Sequence, residues 1–389
     1  MLAPKSRYLA CLLLVLLLLP LLGGCWNRRE LIDLAVVVGI GLDLADEPGQ
    51  VLVTAQIVKP AEVYAPGEGA GGAQGPAVWV VSSAGETVFQ AVRSLASVSD
   101  RELLFSHNQI IVIGRVAAEQ GIRPLLDFFL RNYETRRSVW VLVAEGQACD
   151  VLEAESELNP IPAIAIMQLV KLQATRSTVA QVTMQDLVAR LVSPTAAPVA
   201  SLVTVFTEGA QKRVCLSGTS VFRDDRLVGR LDETASRGLL WVLGEVRSGI
   251  IVISGPGGGK VALEIIGAKS RVIPHLDGGR LTMRLDVAAE GDLGDQMVPK
   301  DLSKPEQLAL LEKGMAEAIR REIEAALVRA RQLGTDIFDF GTAVGRRYPE
   351  AWKNWEKRWP ELFPSLPVEI TVKTRLRQVG LITKPIIPQ

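Results

Sequence analysis

From Tyr8 to Leu22 the chain is built almost wholly of leucine, alanine and valine; Lys5 and Arg7 precede the run, and Gly23, Gly24 and Cys25 close it. A charged head, an apolar middle and small residues at the end are the layout of a secretory signal peptide. As a helix, about 15 residues reach roughly 22 Å, short of a bilayer core of about 30 Å, and Pro20 shortens the run further. The segment therefore predicts export with removal of residues 1–24, so that everything which folds lies beyond it. An ordinary export cut needs no thiol, yet one stands at the seam. Leu22-Gly23-Gly24-Cys25 resembles the bacterial lipobox, in which the cysteine receives a diacylglyceryl group and becomes residue one. Cys25 is thus the expected lipid attachment, carrying diacylglycerol and open to an N-acyl chain of the palmitate kind; no other cofactor is expected. One acyl chain, at about 0.8 kcal/mol per buried methylene, anchors marginally, whereas two suffice.

The chain from Cys25 to Gln389 is long enough for two or three domains. Lys and Arg together number 43, as do Asp and Glu. Losing Lys5 and Arg7 tips that balance slightly acidic, which argues against nucleic acid as a partner. Cys11 leaves with the leader, so Cys149 and Cys215 are the remaining thiols. Two are too few for a disulfide framework, and each sits in an apolar context that reads as burial, with a bridge between them left open.

The hydrophobic pattern divides the exported chain into three unlike sections. In the first, 25–155, strands at 34–44, 50–58, 107–114 and 138–146 alternate with helical stretches such as ETVFQAVRSLAS, where Phe89, Val92 and Leu95 recur at helical spacing. PGEGAGGAQGP, within 60–76, reads as a mobile loop. A small middle section, 156–247, holds helices at 163–176 and 184–192, a hairpin at 218–231 turning at Asp224-Asp225, and a closing helix. In the third, 248–389, Leu281, Met283, Leu285 and Val287 alternate with polar partners, as in an antiparallel sheet with one wet face. A helix at 304–333 carries one apolar stripe from Leu308 to Ala330, with Ser303 and Glu306 spaced as a capping box and Gly334 placed to stop it. A single stripe over that length must lie across a sheet or another helix. The fold class expected is mixed α/β (α+β): three successive domains, mostly antiparallel sheets, and the long C-terminal helix packed on the last sheet.

Catalytic signatures fail on their spacing. GIGLDL offers Gly39 and Gly41, but Leu44 stands at the third glycine of a dinucleotide fingerprint, and strand continues where a helix should open. SGPGGGKV has Ser254 and Val261 where a phosphate loop needs glycine and Ser/Thr. His107 and His275 stand far apart without Cys or His at ligand spacing, which argues against a metal site. No nucleophile elbow appears, so an enzyme is not expected. Trp352, Trp355 and Trp359 fall at i, i+3 and i+7, one face of a helix. Such a face suits either packing against the closing strand at 368–377 or a partner hot spot.

Five blocks in order, CWNRRELIDLAVVVGIGLD, GETVFQAVRSLASVSDRELLFSHNQIIVIG, FFLRNYETRRSVWVLVAEG, GTSVFRDDRLVGRLDETASRGLLWVLGE and DIFDFGTAVGRRYPEAWKNWEKRWPELFP, resemble the Ger(x)C family. These are the lipoprotein C subunits of bacterial spore germinant receptors. The resemblance spans nearly the whole exported chain, and it implies a three-domain mixed α/β protein on the outer leaflet of the inner spore membrane. It also implies partnership with membrane-embedded A and B subunits and a part in nutrient-triggered germination. Cys25 matches the family's lipidated cysteine, and the Gly/Ala-rich loop looks like a local elaboration. Arg101, His107, Trp352 and Trp355 are the candidate partner-binding residues. A solute-binding lipoprotein that captures a small nutrient is the alternative; it predicts two similar lobes around a deep cleft, which three unlike sections do not suggest.

Overall fold

A computed structural model describes residues 8–9, 30–63, 75–209 and 211–377. β1 (Leu34–Leu44), β2 (Val51–Val58) and β3 (Val78–Gly85) form an antiparallel meander. Between β2 and β3, Pro60–Val63 makes one helical turn, and 64–74, most of the expected loop, lies outside the described residues. Helix α1 (Val88–Leu95) follows, its first turn closed by the Thr87 hydroxyl, which accepts from the Gln90 amide. β4 (Glu102–Leu104) and β5 (Ile110–Ile113) both run parallel to β1, the first beside Leu34–Val36 and the second beside Gly39–Leu42.

Helices α2 (Arg115–Gln120) and α3 (Arg123–Arg131) then cross over to β6 (Trp140–Ala144), parallel to β5. Three more, α4 (Ala148–Glu153), α5 (Pro162–Arg176) and α6 (Met184–Leu191), cross to β7 (Val199–Glu208), parallel to β6. A second meander through β8 (Gln211–Arg223) and β9 (Arg226–Leu231) completes one sheet in the order β3-β2-β1-β5-β6-β7-β8-β9, with β4 beside β1. Its central strands read as unbroken apolar runs because parallel strands joined by helices are covered on both faces. Ile111, Ile113, Val141 and Val143 point into the core beneath α1, α3 and α6, while Ile110, Val112, Leu142 and Ala144 point into the core beneath α4 and α5. Gly39 belongs to the second face, where a Cβ would sit 2.9 Å from that of Ala163; the glycine lets α5 close on the sheet.

This sheet bears on two expectations. It crosses the boundary drawn at 155/156, since β7 to β9, assigned to the middle section, extend the sheet that β1 begins. Its centre is parallel and its two wings antiparallel, and over both sheets antiparallel pairs outnumber parallel ones, as expected. Periodicity reports most of the strands, though not Glu102–Leu104, but which strands pair is settled by crossovers such as the helices of 148–191, which periodicity does not address.

Helix α7 (Glu233–Leu243) leads to a second sheet, β10 (Gly249–Ser254), β11 (Lys260–Asp277) and β12 (Arg280–Gln296), closed by β13 (Val368–Leu376) parallel to β12. Helix α8 (Pro305–Leu333) lies across it, about 43 Å long. Leu311, Met315, Ile319, Ile323 and Leu327 pack against Ile251, Leu263, Leu285 and Val287 in the shared core, as the single stripe requires. Gly334 ends the helix at φ 61°. The capping box does not form: Ser303 donates its hydroxyl to Asp301, and Lys304 holds the cap position without a side-chain bond. Pro305 explains the shift, because its missing N–H and fixed φ suit the first helical position. Helices α9 (Phe340–Arg347) and α10 (Pro349–Trp355) and a single helical turn at Trp359–Leu362 fill the way to β13.

Candidate functional site

Cys25 lies outside the described residues. The described chain resumes at Glu30 and enters β1, whose first residues pair with β4. β4 in turn lines an open groove of about 1060 Å³ between α1 and α3. Phe89 of α1 stacks on Phe128 of α3 with ring centres 5.6 Å apart, and Phe105 meets Phe128 edge-on at 6.2 Å. The Arg93 guanidinium sits 5.3 Å over the Phe89 ring, a cation–π contact. Both signs of charge mark the rim, where Arg131 pairs with Asp127 at 2.8 Å. Although Phe89 reads as part of the inward stripe of α1, that stripe is Val88, Ala91, Val92 and Leu95; Phe89 is 53% exposed and Tyr133 at the groove's end 87%. An apolar patch rimmed by charge marks a place where something docks.

The other candidates are dispersed. Arg101 is exposed, its carbonyl accepting from the Ser99 hydroxyl, and it borders a cavity of about 310 Å³ together with Lys59 and Trp79. His107 is exposed, with Nδ1 3.1 Å from the Ser106 hydroxyl. Beside it Asn108 is buried, and among the described residues its side-chain carboxamide has no hydrogen-bond partner. Trp352 and Trp355 are half-buried in α10, in the C-terminal part of the chain. The continuous tryptophan face is not made, because α10 ends at Trp355 and a 3-10 turn at Glu356–Arg358 intervenes. A new helical turn opens at Trp359 (Trp359–Leu362), with Pro360 in its first turn, where a missing N–H and a fixed φ are tolerated. Trp359 is instead buried, its ring edge-on to Trp352 at 5.2 Å and its indole N–H donated to Asp336.

Three buried carboxylates, unremarked in the sequence pattern, join the parts. Asp43 at the end of β1 accepts from the Ala148 and Cys149 amides, capping α4 from across the fold. Burial pushes its carboxyl above the ordinary value while those two amides pull it down. Glu322 of α8 pairs with Arg237 of α7 and accepts from Trp241. Asp336 accepts from the amides of Phe338, Phe340 and Gly341 and from the Trp359 indole. Burial raises it to about 6, opposed by the Gly341 and Phe340 amides and the Trp359 indole.

Cys149 and Cys215 are unbridged. Cys149 is half-buried, but Cys215, expected to be buried, is exposed on β8. Burial, with Asp43, Asp150 and Glu153 nearby, pushes the Cys149 thiol up to about 11. Its thiolate is about 100-fold scarcer than an ordinary cysteine's at pH 8, and the greater nucleophilicity of a more basic thiolate offsets part of that, so iodoacetamide should alkylate it about tenfold more slowly. Mass spectrometry of timed aliquots checks this, and a rate for Cys149 equal to that of free cysteine would contradict it.

Among the described residues, no three His, Cys, Asp or Glu side chains gather to hold a metal, and no helix is long and apolar enough to cross a membrane. Two family models match in tandem: one described as spore germination protein N-terminal domain over 27–205, the other as spore germination B3/GerAC like, C-terminal, over 217–380. Spore germination protein KC of Bacillus subtilis (strain 168) is 28% identical, with 97% of each chain covered. Putative spore germination protein YfkR of the same organism is 26% identical over 98% of this chain and 99% of its own. Spore germination protein B3, again from that strain, is 22% identical over 93% and 95%. The crystal structure of the GerBC protein superposes with a TM-score of 0.57 at 17% identity, covering 90% of this chain and 99% of that one, a likeness of fold.

Proposed function

The chain belongs to the spore germination B3/GerAC-like family, and on that footing we propose that it is the lipid-anchored, non-enzymatic C subunit of a spore germinant receptor. Cys25 holds it on the outer leaflet of the inner spore membrane, and its folded surfaces bind the membrane-embedded A and B subunits. The observation that carries this reading is the unbroken order of both family models along the chain, matched by full-length relatives whose names place them in spore germination. Confinement to the membrane raises the effective concentration of partners, so weak interfaces suffice. Arg101 and His107 are free to serve such contacts, whereas Trp352 and Trp355 are partly committed to packing.

Cys25→Ala tests it. In spores, the variant is expected to leave the membrane fraction almost completely and to slow germination on nutrients at least tenfold. Retention in the membrane with normal germination would overturn the reading.

A further inference from the structure

We propose that the groove between α1 and α3 grips an amphipathic helix which a membrane-embedded receptor subunit lays along the bilayer surface. The inference rests on the receptor-subunit reading above and names the surface involved. Its first support is position. The groove wall includes Glu102 and Leu103, which pair directly with the first residues of β1. From Cys25 to Leu34 the chain can extend at most about 30 Å, at roughly 3.3–3.6 Å per residue. A lipid on Cys25 therefore keeps this mouth of the molecule within about 30 Å of the headgroups, within reach of the surface segments that a membrane-embedded partner presents.

The chemistry of the groove selects the occupant. Phe89 and Tyr133 are exposed aromatic side chains, the kind that anchors helix-in-groove recognition. Arg93, Arg131 and Asp127 put both signs of charge on the rim, which suits the mixed polar flanks of an amphipathic helix. An anionic lipid surface would instead call for a cluster of basic residues, and a small nutrient for an enclosed pocket. The nine residues of α3 give a wall about 13 Å long, two to three turns of a guest helix.

The test uses the full-length lipoprotein in spores together with its A and B subunits. Benzoylphenylalanine replaces Phe89 or Tyr133 in separate strains, and Val252 on the outer face of the second sheet serves as control. Irradiation is expected to join positions 89 and 133, but not 252, to one interfacial segment of the A or B subunit, identified by peptide mass spectrometry. In parallel, Phe89→Glu, at a site open enough to spare the fold, is expected to keep the protein in the membrane and to slow germination at least tenfold. Adducts with phospholipid alone, adducts with a second copy of this chain, or none, together with normal germination of Phe89→Glu, would overturn the groove assignment. Deleting the gene separates the two levels. If the deletion germinates normally, the receptor reading itself falls and the groove proposal with it; if the deletion fails to germinate while Phe89→Glu behaves as wild type, the groove alone is wrong.

Discussion

Asp336→Ala is expected to cost at least about 4 kcal/mol of stability, because four buried donors lose their acceptor at once and each such loss is worth about 1–3 kcal/mol. Those donors are the amides of Phe338, Phe340 and Gly341 and the indole of Trp359. Together they fold 336–341 into a tight turn after α8 and fasten Trp359 against it. The same turn holds the two sheets together, since the Asp336 carbonyl accepts from Ala197 and Arg190 donates to the carbonyls of Ala197 and Ile337. Urea denaturation followed by tryptophan fluorescence measures the cost. Asp336→Asn separates lost hydrogen bonding from lost volume: one oxygen remains, but an NH₂ group in place of the other would face the two donors that oxygen served. Its cost should fall between those of wild type and Asp336→Ala. A penalty for Asp336→Ala under about 1 kcal/mol would mean that the donors find water instead, and the account of this joint would fail.

How far the sequence reveals this molecule depends on how local each determinant is. β1 was legible to the residue because its unbroken apolar run and the turn that follows it are contiguous in the chain, and α8 because one stripe runs its length. The turn at Asp224 is likewise local. Pairing is not: β7 joins β6 across helices, and only that crossover makes 34–231 a single sheet. The buried carboxylates are least legible of all. Asp43 looks like any polar residue in a strand, and the amides it caps lie 105 and 106 positions away. Phe89 misled for a related reason. Its spacing fits the inward stripe, but Val88 and Ala91 set the buried face one step round the helix and leave the ring in the groove. At the C-terminus the i, i+3, i+7 tryptophans assumed a helix that the chain breaks at Glu356.

Glu322→Ala should cost about 3–5 kcal/mol, the range for breaking a buried ion pair from one side. Glu322 lies on the α8 face turned toward α7 and is 7% exposed. Its two oxygens take Nε and Nη2 of Arg237, and Oε2 also accepts from the Trp241 indole at 2.8 Å. Removing the carboxylate leaves a guanidinium with little access to water and an indole N–H with no acceptor. Relaxation has little room, because Gly238 brings the α7 backbone against the Glu322 carbonyl. The charge pair need not be what makes the joint stable, however. Desolvating both groups costs much of what their attraction returns, so an apolar pair of similar volume can serve as well. Arg237→Met combined with Glu322→Met should therefore recover the part of the loss in Glu322→Ala that comes from the unpaired guanidinium, leaving about 1–3 kcal/mol for the Trp241 indole without its acceptor. Equilibrium unfolding of the single and double variants decides between two accounts of this joint. If the double variant is as unstable as the sum of its singles, the carboxylate works through contacts beyond Arg237, and the coupling of α7 to α8 has been misassigned. If the double variant recovers, the ion pair serves chiefly to fix which faces of the two helices meet, and the packing around Gly238 supplies most of the strength.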